Sequence, residues 1–328
     1  MKTRIFGNTG REVSEIGLGT WQLGTKWGEP YNGEEALKIL NEADKAGITF
    51  IDTADVYNGG RSESSIGEFL KGKDRSRYFI TTKCGRKLKP HTAEMYTPEA
   101  VSEFITASLE RLSTPYIDLI LLHCPPSPVY RKKEIFDQLE MEKKNGRIKA
   151  YGVSIEKVED GLYCLENYGI SGIEVVFNMF RLKPLDELLP LAKKKNVGII
   201  ARVPLASGLL TGKFDMNTQF GAKDHRFFNR NGESFDKGET FSGVPYETGL
   251  KAVSELKKIL GTDNLAPYAI RWVLMHDEVS VVIPGASKAQ QVVSNVTAAA
   301  LKDLSPEQMI AVEEVYNRYL RDEIHPQW

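Results

Sequence analysis

The chain has 328 residues, enough to bury a large core, and 41% hydrophobic with 27% charged side chains is a globular composition. Its 43 basic and 44 acidic residues leave a net charge of −1, which excludes nucleic acid or an anionic membrane as a partner held by broad electrostatics. Three cysteines, Cys84, Cys124 and Cys164, are an odd number without CxxC spacing; they suggest neither a disulfide framework nor a zinc site, and suit a reducing compartment.

The opening MKTRIFGNTGREVSEIG holds no apolar run long enough for a signal peptide or a membrane span, so a cytoplasmic protein is expected. It reads as a short hairpin turning at Gly7 to Gly10. Strand-like runs follow at 15–19, 48–53, 78–84, 116–123, 148–154, 172–178, 197–205 and 279–284. Several are nearly continuous apolar runs, as strands buried on both faces should be. Helical patterns lie between them at 34–46, 63–71, 98–112, 131–145, 156–167, 184–195, 247–260 with 266–276, and 289–300.

Eight βα units with no strand left over predict an α/β protein, a single (β/α)8 TIM barrel spanning 1–328 as one domain. An open, doubly wound sheet is the alternative. It asks for a GxGxxG turn after the first strand, and Gly17-Leu18-Gly19-Thr20-Trp21-Gln22 lacks the third glycine. The segment 213–246 breaks the rhythm: it is polar, yet carries Phe214, Phe220, Phe227, Phe228, Phe235 and Phe241. So many aromatics argue for a functional, ordered loop. A helix over 305–320, with Ser305 as N-cap and Pro306 at its first position, precedes a tail ending at Trp328.

Four polar residues stand at or just beyond three strand ends: Asp52 and Tyr57 in ITFIDTADVY, Lys83 in YFITTKCG, and His123 in YIDLILLHCP. In a parallel barrel those ends converge on one face, and an acid, a phenol, an amine and an imidazole there can hand a proton to a carbonyl oxygen. Singly, each has a plain structural explanation. Together they do not. Asp55, on the same loop, is given no role.

These motifs, in this order and spacing, resemble the aldo-keto reductases, and the likeness runs from the hairpin to IPGASKAQQVVSN near the end. The resemblance implies a barrel binding NADP(H) across its C-terminal mouth, a small carbonyl substrate, and Tyr57 as general acid supported by Lys83, Asp52 and His123. A nearby ammonium such as Lys83 should lower the tyrosine pKa, and Asp52 should fix and neutralise it. Where the family has glycine after the tyrosine this chain has Asn58, which tolerates a left-handed turn.

The resemblance also implies the cofactor contacts. Gly285, Ser287, Lys288, Gln291 and Asn295 match the segment holding the adenosine 2′-phosphate and adenine. A helix start with a lysine is a sound anion site. Relatives often carry arginine there, so NADP(H) is favoured with NAD(H) as an alternative. Pro204, Leu205, Ser207, Gly208, Leu210 and Lys213 match the pyrophosphate stretch, and the loop at 213–246 would clamp the cofactor. Gly19, Thr20, Trp21 and Asp52 complete the set with Ser154, Glu174 and Arg202 at the nicotinamide.

Three residues depart from the family. Ile155 replaces an asparagine, Glu174 a carboxamide-binding glutamine, and Arg202 the aromatic residue that stacks on the nicotinamide. Arg202 is expected to stack there for about 0.5–2 kcal/mol and, as a cation, to favour the reduced cofactor, Glu174 offsetting part; the alternative is a salt-bridge network. Substrate walls are expected from Trp21, Trp27, Tyr57 and His123, with Tyr31, Phe227, Phe228, His325 and Trp328 as further candidates. No basic residue stands out as a substrate clamp. No carboxylate–histidine cluster has metal-ligand spacing, so no metal is expected, and an isomerase or lyase reading finds no support. A cofactor-sensing regulatory subunit built on the same barrel is the second functional reading.

Overall fold

The computed structural model describes residues 1–25 and 28–328. Strands β1 (Thr3–Ile5) and β2 (Glu12–Ser14) pair antiparallel as the expected hairpin. Eight parallel strands follow: β3 (Leu18–Gly19), β4 (Phe50–Asp52), β5 (Phe79–Cys84), β6 (Ile117–His123), β7 (Ile148–Ser154), β8 (Gly172–Val176), β9 (Gly198–Arg202) and β10 (Val281–Val282). Parallel bridges Ile16–Val282 and Gly19–Gly285 join the first strand to the last and close the barrel. Helices alternate with the strands around it. No helix among the described residues is long and apolar enough to cross a membrane.

Alternation along the strands sorts the core into two layers. Phe50, Phe79, Leu119, Leu121, Ala150, Ile200 and Val281 fill the interior, while the alternate residues pack outward under the helices. The hairpin plugs the N-terminal end. Phe6, fully buried, places its ring 5.0 Å from Phe79 and 5.6 Å from Phe50. A Cβ at Gly198 would come within 2.7 Å of that ring, so the plug requires glycine there.

Strands β3 and β10 are shorter than the sequence pattern, two residues each, because the barrel seam is held by single bonds such as Gly17 N to Val282 O and because Pro284 has no N–H for a ladder. Strand β9 stops at Arg202, since Val203 takes φ +56° and turns the chain out. The helix expected over 184–195 is a 3-10 turn, Lys183–Leu185, and then Leu188–Lys194. Pro190 lacks an N–H and is tolerated only in a helix's first turn, so the helix starts just before it.

The long loop is ordered by its aromatics. Phe214, Phe220, Phe241 and Tyr246 form successive ring contacts at 5.3–5.7 Å, and Arg226 lies over Phe220 at 4.6 Å. Beyond the last barrel unit, Pro306–Tyr319 is a helix with the Ser305–Gln308 capping box.

Candidate active site

The inward faces of the strands bring Asp52, Lys83, His123, Ser154, Glu174 and Arg202 to the C-terminal mouth. Asp52 is in register with Gly19, and His123 with Ser154, which is in turn in register with Glu174. Lys83 and Arg202 end the inward rows of β5 and β9. Period-two alternation thus makes a ring of polar side chains capping an apolar interior.

Lys83 is its centre and is fully buried. Its Nζ donates to both Asp52 oxygens at 2.7 Å and to Thr53 O at 3.1 Å, and it lies 3.4 Å from the Tyr57 hydroxyl. A second carboxylate reaches it, Glu174 Oε2 at 3.2 Å. Burial alone would lower the lysine pKa, but Asp52 and Glu174 hold it above its ordinary value. Burial and the like charge of Glu174 push the Asp52 carboxyl up.

Tyr57 starts a 3-10 turn in which Asn58 takes φ +50°, the left-handed conformation expected of it, and Asn58 Nδ2 anchors the turn on Leu23 O at 3.1 Å. The Tyr57 ring meets His123 edge-on at 5.9 Å and lies beneath Trp21 at 6.4 Å. Lys83 does pull this phenol toward ionisation, but burial outweighs it and holds the pKa above its ordinary value, with Asp52 and Glu174 adding to the rise. That corrects the lowered value expected from Lys83 alone. Burial, then Arg86, keeps the His123 imidazole neutral.

Arg202 does not stand as a lone cation. Its guanidinium donates to Ile155 O at 3.2 Å and lies 3.6, 3.8 and 3.9 Å from Glu239, Glu156 and Glu174. The salt-bridge arrangement is the one observed, so the positive bias expected at this position is cancelled. Arg86 pairs the same loop acids, Glu239 at 2.7 Å and Glu156 at 3.1 Å. Cys124 Sγ, Glu156 and Glu239 lie close enough together to suggest a metal set. The guanidinium ions already take both carboxylates, and burial pushes the Cys124 thiol up to about 12.

A cleft of about 740 Å³ runs from Tyr57 and His123 past Ser154, Glu174 and Arg202 to Gly285 and Gln291. Gly19, Thr20, Trp21, Asp52, Pro204, Leu205, Ser207, Gly208 and Lys213 also line it. Leu210 does not: it is fully enclosed in the core, where the turn Ala206–Thr211 directs it inward. Ser287, Lys288 and Asn295 stand at the far end but not in the cleft wall. Gln291 Oε1 accepts from Ser287 N at 2.7 Å and Lys288 N at 3.2 Å, and Asn295 Nδ2 donates to Gly285 O at 3.3 Å.

On the substrate side Trp21, Tyr57 and His123 face the cleft, and Trp27 lies outside the described residues. The further candidates are placed elsewhere. Tyr31 packs on Ser65, Phe227 points to solvent and Phe228 meets Phe235. His325 pairs with Asp186, and Trp328 lies under Arg181. Sequence reasoning missed Arg86, Arg226, His225, Phe235 and Glu239, which also line the cleft. For Arg86 a signal existed, a cation three residues after Lys83; Glu239 offers none.

The sequence profile of the Aldo/keto reductase family matches residues 15–317. The chain belongs to that family. A candidate voltage-gated potassium channel subunit beta of Schizosaccharomyces pombe is 31% identical over 330 residues, covering 96% of this chain and 93% of that protein. The NADH-specific methylglyoxal reductase of Escherichia coli is 28% identical, covering 91% and 93%. Among solved structures, the aldo-keto reductase AKR11C1 of Bacillus halodurans in its holo form superposes with a TM-score of 0.78 at 26% identity, covering 99% of both chains. As a member, the chain is an oxidoreductase acting between carbonyl and alcohol with a nicotinamide cofactor.

Proposed function

We propose that the chain reduces a small aldehyde or ketone with NADPH, Tyr57 acting as general acid. The observation that carries this is the direct run from Asp52 through Lys83 to the Tyr57 hydroxyl, opening into a cleft beside His123. The cleft residues fit a nicotinamide dinucleotide: its volume is in the range of small-molecule sites, and Lys213 provides a cation on its wall beside Arg226, which is itself paired with Asp224 at 2.6 Å. When bound, that cofactor supplies hydride to the carbonyl carbon.

Tyr57 gives its proton to the carbonyl oxygen as negative charge develops there. Lys83, 3.4 Å away, stabilises the phenolate left behind, and Asp52 and Glu174 keep that ammonium in place. His123, held neutral, donates a hydrogen bond to the same oxygen and orients the substrate. Trp21 forms one wall and excludes water.

Lys288 at the start of helix Ala289–Val296 supports NADP(H). NAD(H) is the second reading, favoured by Gln291, whose carbonyl already occupies the Ser287 and Lys288 N–H groups. A cofactor-sensing subunit draws on the name of the fission-yeast relative alone. NADPH oxidation with a panel of aldehydes and ketones, lost by two to four orders of magnitude in Tyr57→Phe, is the outcome expected for the reductase. Tight cofactor binding without turnover would favour the sensor.

A further inference from the structure

Seven buried or half-buried charged side chains form one continuous network beneath the cleft. It runs from Asp52 to Lys83 at 2.7 Å, from Lys83 to Glu174 at 3.2 Å and from Glu174 to Arg202 at 3.9 Å. Arg202 leads on to Glu239 at 3.6 Å and Glu156 at 3.8 Å, and both acids reach Arg86. Its carboxylates are Asp52, Glu156, Glu174 and Glu239, and its cations are Lys83, Arg86 and Arg202. Among the described residues of this network the acids exceed the bases by one.

Glu174 stands out within it. Lys83 already has both oxygens of Asp52, so Glu174, 3.2 Å away, is a second carboxylate on one ammonium. Its Oε1 accepts from Ser154 Oγ at 3.4 Å, its Oε2 faces Lys83 without a hydrogen bond in good geometry, and its side chain lines the cleft. A ring that passes hydride to a carbonyl held at Tyr57 must come within about 3.5 Å of the carbonyl carbon. On the barrel side the cleft wall there is Ser154, Glu174 and Arg202.

We propose that Glu174 is the counter-ion for the nicotinamide ring in its cationic, oxidised form, and that it shifts cofactor preference toward that form. This rests on the reading of the cleft as a nicotinamide site. The oxidised ring carries a positive charge that the reduced ring lacks, and a buried carboxylate distinguishes the two where a neutral carboxamide would not. Arg202 opposes the effect but is itself held 3.6 Å from Glu239, which stays ionised, while burial and Glu239 push the neighbouring Glu156 carboxyl up to about 8.

Calorimetric titration of the intact protein with both redox forms of NADP and of NAD tests the assignment. In the wild type, the oxidised form should bind at least as tightly as the reduced form. Glu174→Gln should weaken the oxidised form five- to fiftyfold while changing the reduced form less than twofold, and Glu174→Asp should restore most of the loss. A purely structural role would weaken both forms together. Equal loss in both forms, or wild-type binding of the reduced form more than tenfold tighter than the oxidised, overturns the proposal. If Glu174→Gln does not fold, the wild-type comparison decides alone. Failure of every form to bind overturns the reductase reading itself, and this assignment with it.

Discussion

The Trp328 indole Nε1 donates to Asp236 Oδ1 at 2.9 Å, and so a residue of the tail holds the loop that borders the active site. Arg181 lies 3.7 Å over the indole and also donates to Ser242 O at 3.0 Å. The turns carrying Gly238 and Gly243 pack against the ring so closely that neither has room for a Cβ. Between them sits Glu239, the partner of Arg86 and Arg202. Trp328→Ala should therefore cost about 3–5 kcal/mol of stability, the usual loss for a buried tryptophan. It should also expose the loop to limited proteolysis between Arg226 and Lys237. Urea unfolding and peptide mapping check both; unchanged proteolysis would mean that the loop holds itself.

Arg86 and Glu239 make a second testable pair. Burial would raise the Glu239 carboxyl, yet Arg86 and Arg202 hold it down to about 2, so it stays ionised at every working pH. Arg86→Gln leaves two acids with Arg202 as their shared cation, and breaking a buried pair from one side costs about 3–5 kcal/mol. Adding Glu239→Gln should recover part of this, giving a coupling of about 1–3 kcal/mol in a double-mutant cycle measured by chemical denaturation. Simple additivity would show that the two do not act together. Since Arg86 also disfavours a charged His123, the single variant should raise the His123 pKa, readable by NMR titration.

What could be read in advance follows from where the constraints are local. The strand Ile148–Ser154 and the helix Pro98–Leu112 have the bounds their patterns predict, because one is a buried run ended by a turn and the other has Thr97 as N-cap. The seam strands β3 and β10 could not be bounded, since their pairing depends on how far the barrel is sheared when it closes. Asp52, Tyr57, Lys83 and His123 were legible because each sits at or just beyond a strand end. Glu239 was not, because it reaches the site from a polar loop placed by Trp328, 89 residues later in the chain. The sign of charge around Arg202 was likewise invisible: Glu156 and Glu239 come from different loops, and only the fold brings them together.

Asp55 provides a pH signature. It is fully buried, neither oxygen has a side-chain hydrogen-bond partner among the described residues, and burial raises its pKa from 3.8 to about 7. Glu63 adds to the rise, while Lys87, Arg111 and the Val56 N–H oppose it. A carboxyl raised in the folded state contributes most stability below its unfolded pKa and loses it as pH climbs toward the folded value. The loss should accumulate between pH 3.8 and about 7 and then level off, at most about 4 kcal/mol. Asp55→Asn removes that ionisation. It should stabilise the protein by about 2–3 kcal/mol at pH 8 and by little at pH 4. Thermal melts at the two pH values test this, and an equal shift at both would assign the change to packing.

Gln291 sets a choice between the two dinucleotides under the proposed function. Its Oε1 accepts from Ser287 N, Ser287 Oγ and Lys288 N, so the donors that a 2′-phosphate would use are already taken by an internal acceptor. A phosphate has to displace that carbonyl, and the hydrogen bonds it gains are offset by those the side chain loses. NAD(H) meets no such competition. Gln291→Arg removes the acceptor and adds a guanidinium, which binds phosphate through paired N–H groups. The substitution should therefore increase the preference for NADP over NAD at least tenfold, mostly by tightening NADP, and the gain should shrink as salt rises. Titrating both cofactors at low and high ionic strength reads it out. A ratio that does not move would place the 2′-phosphate away from this helix and leave the Gln291 cap a purely structural feature.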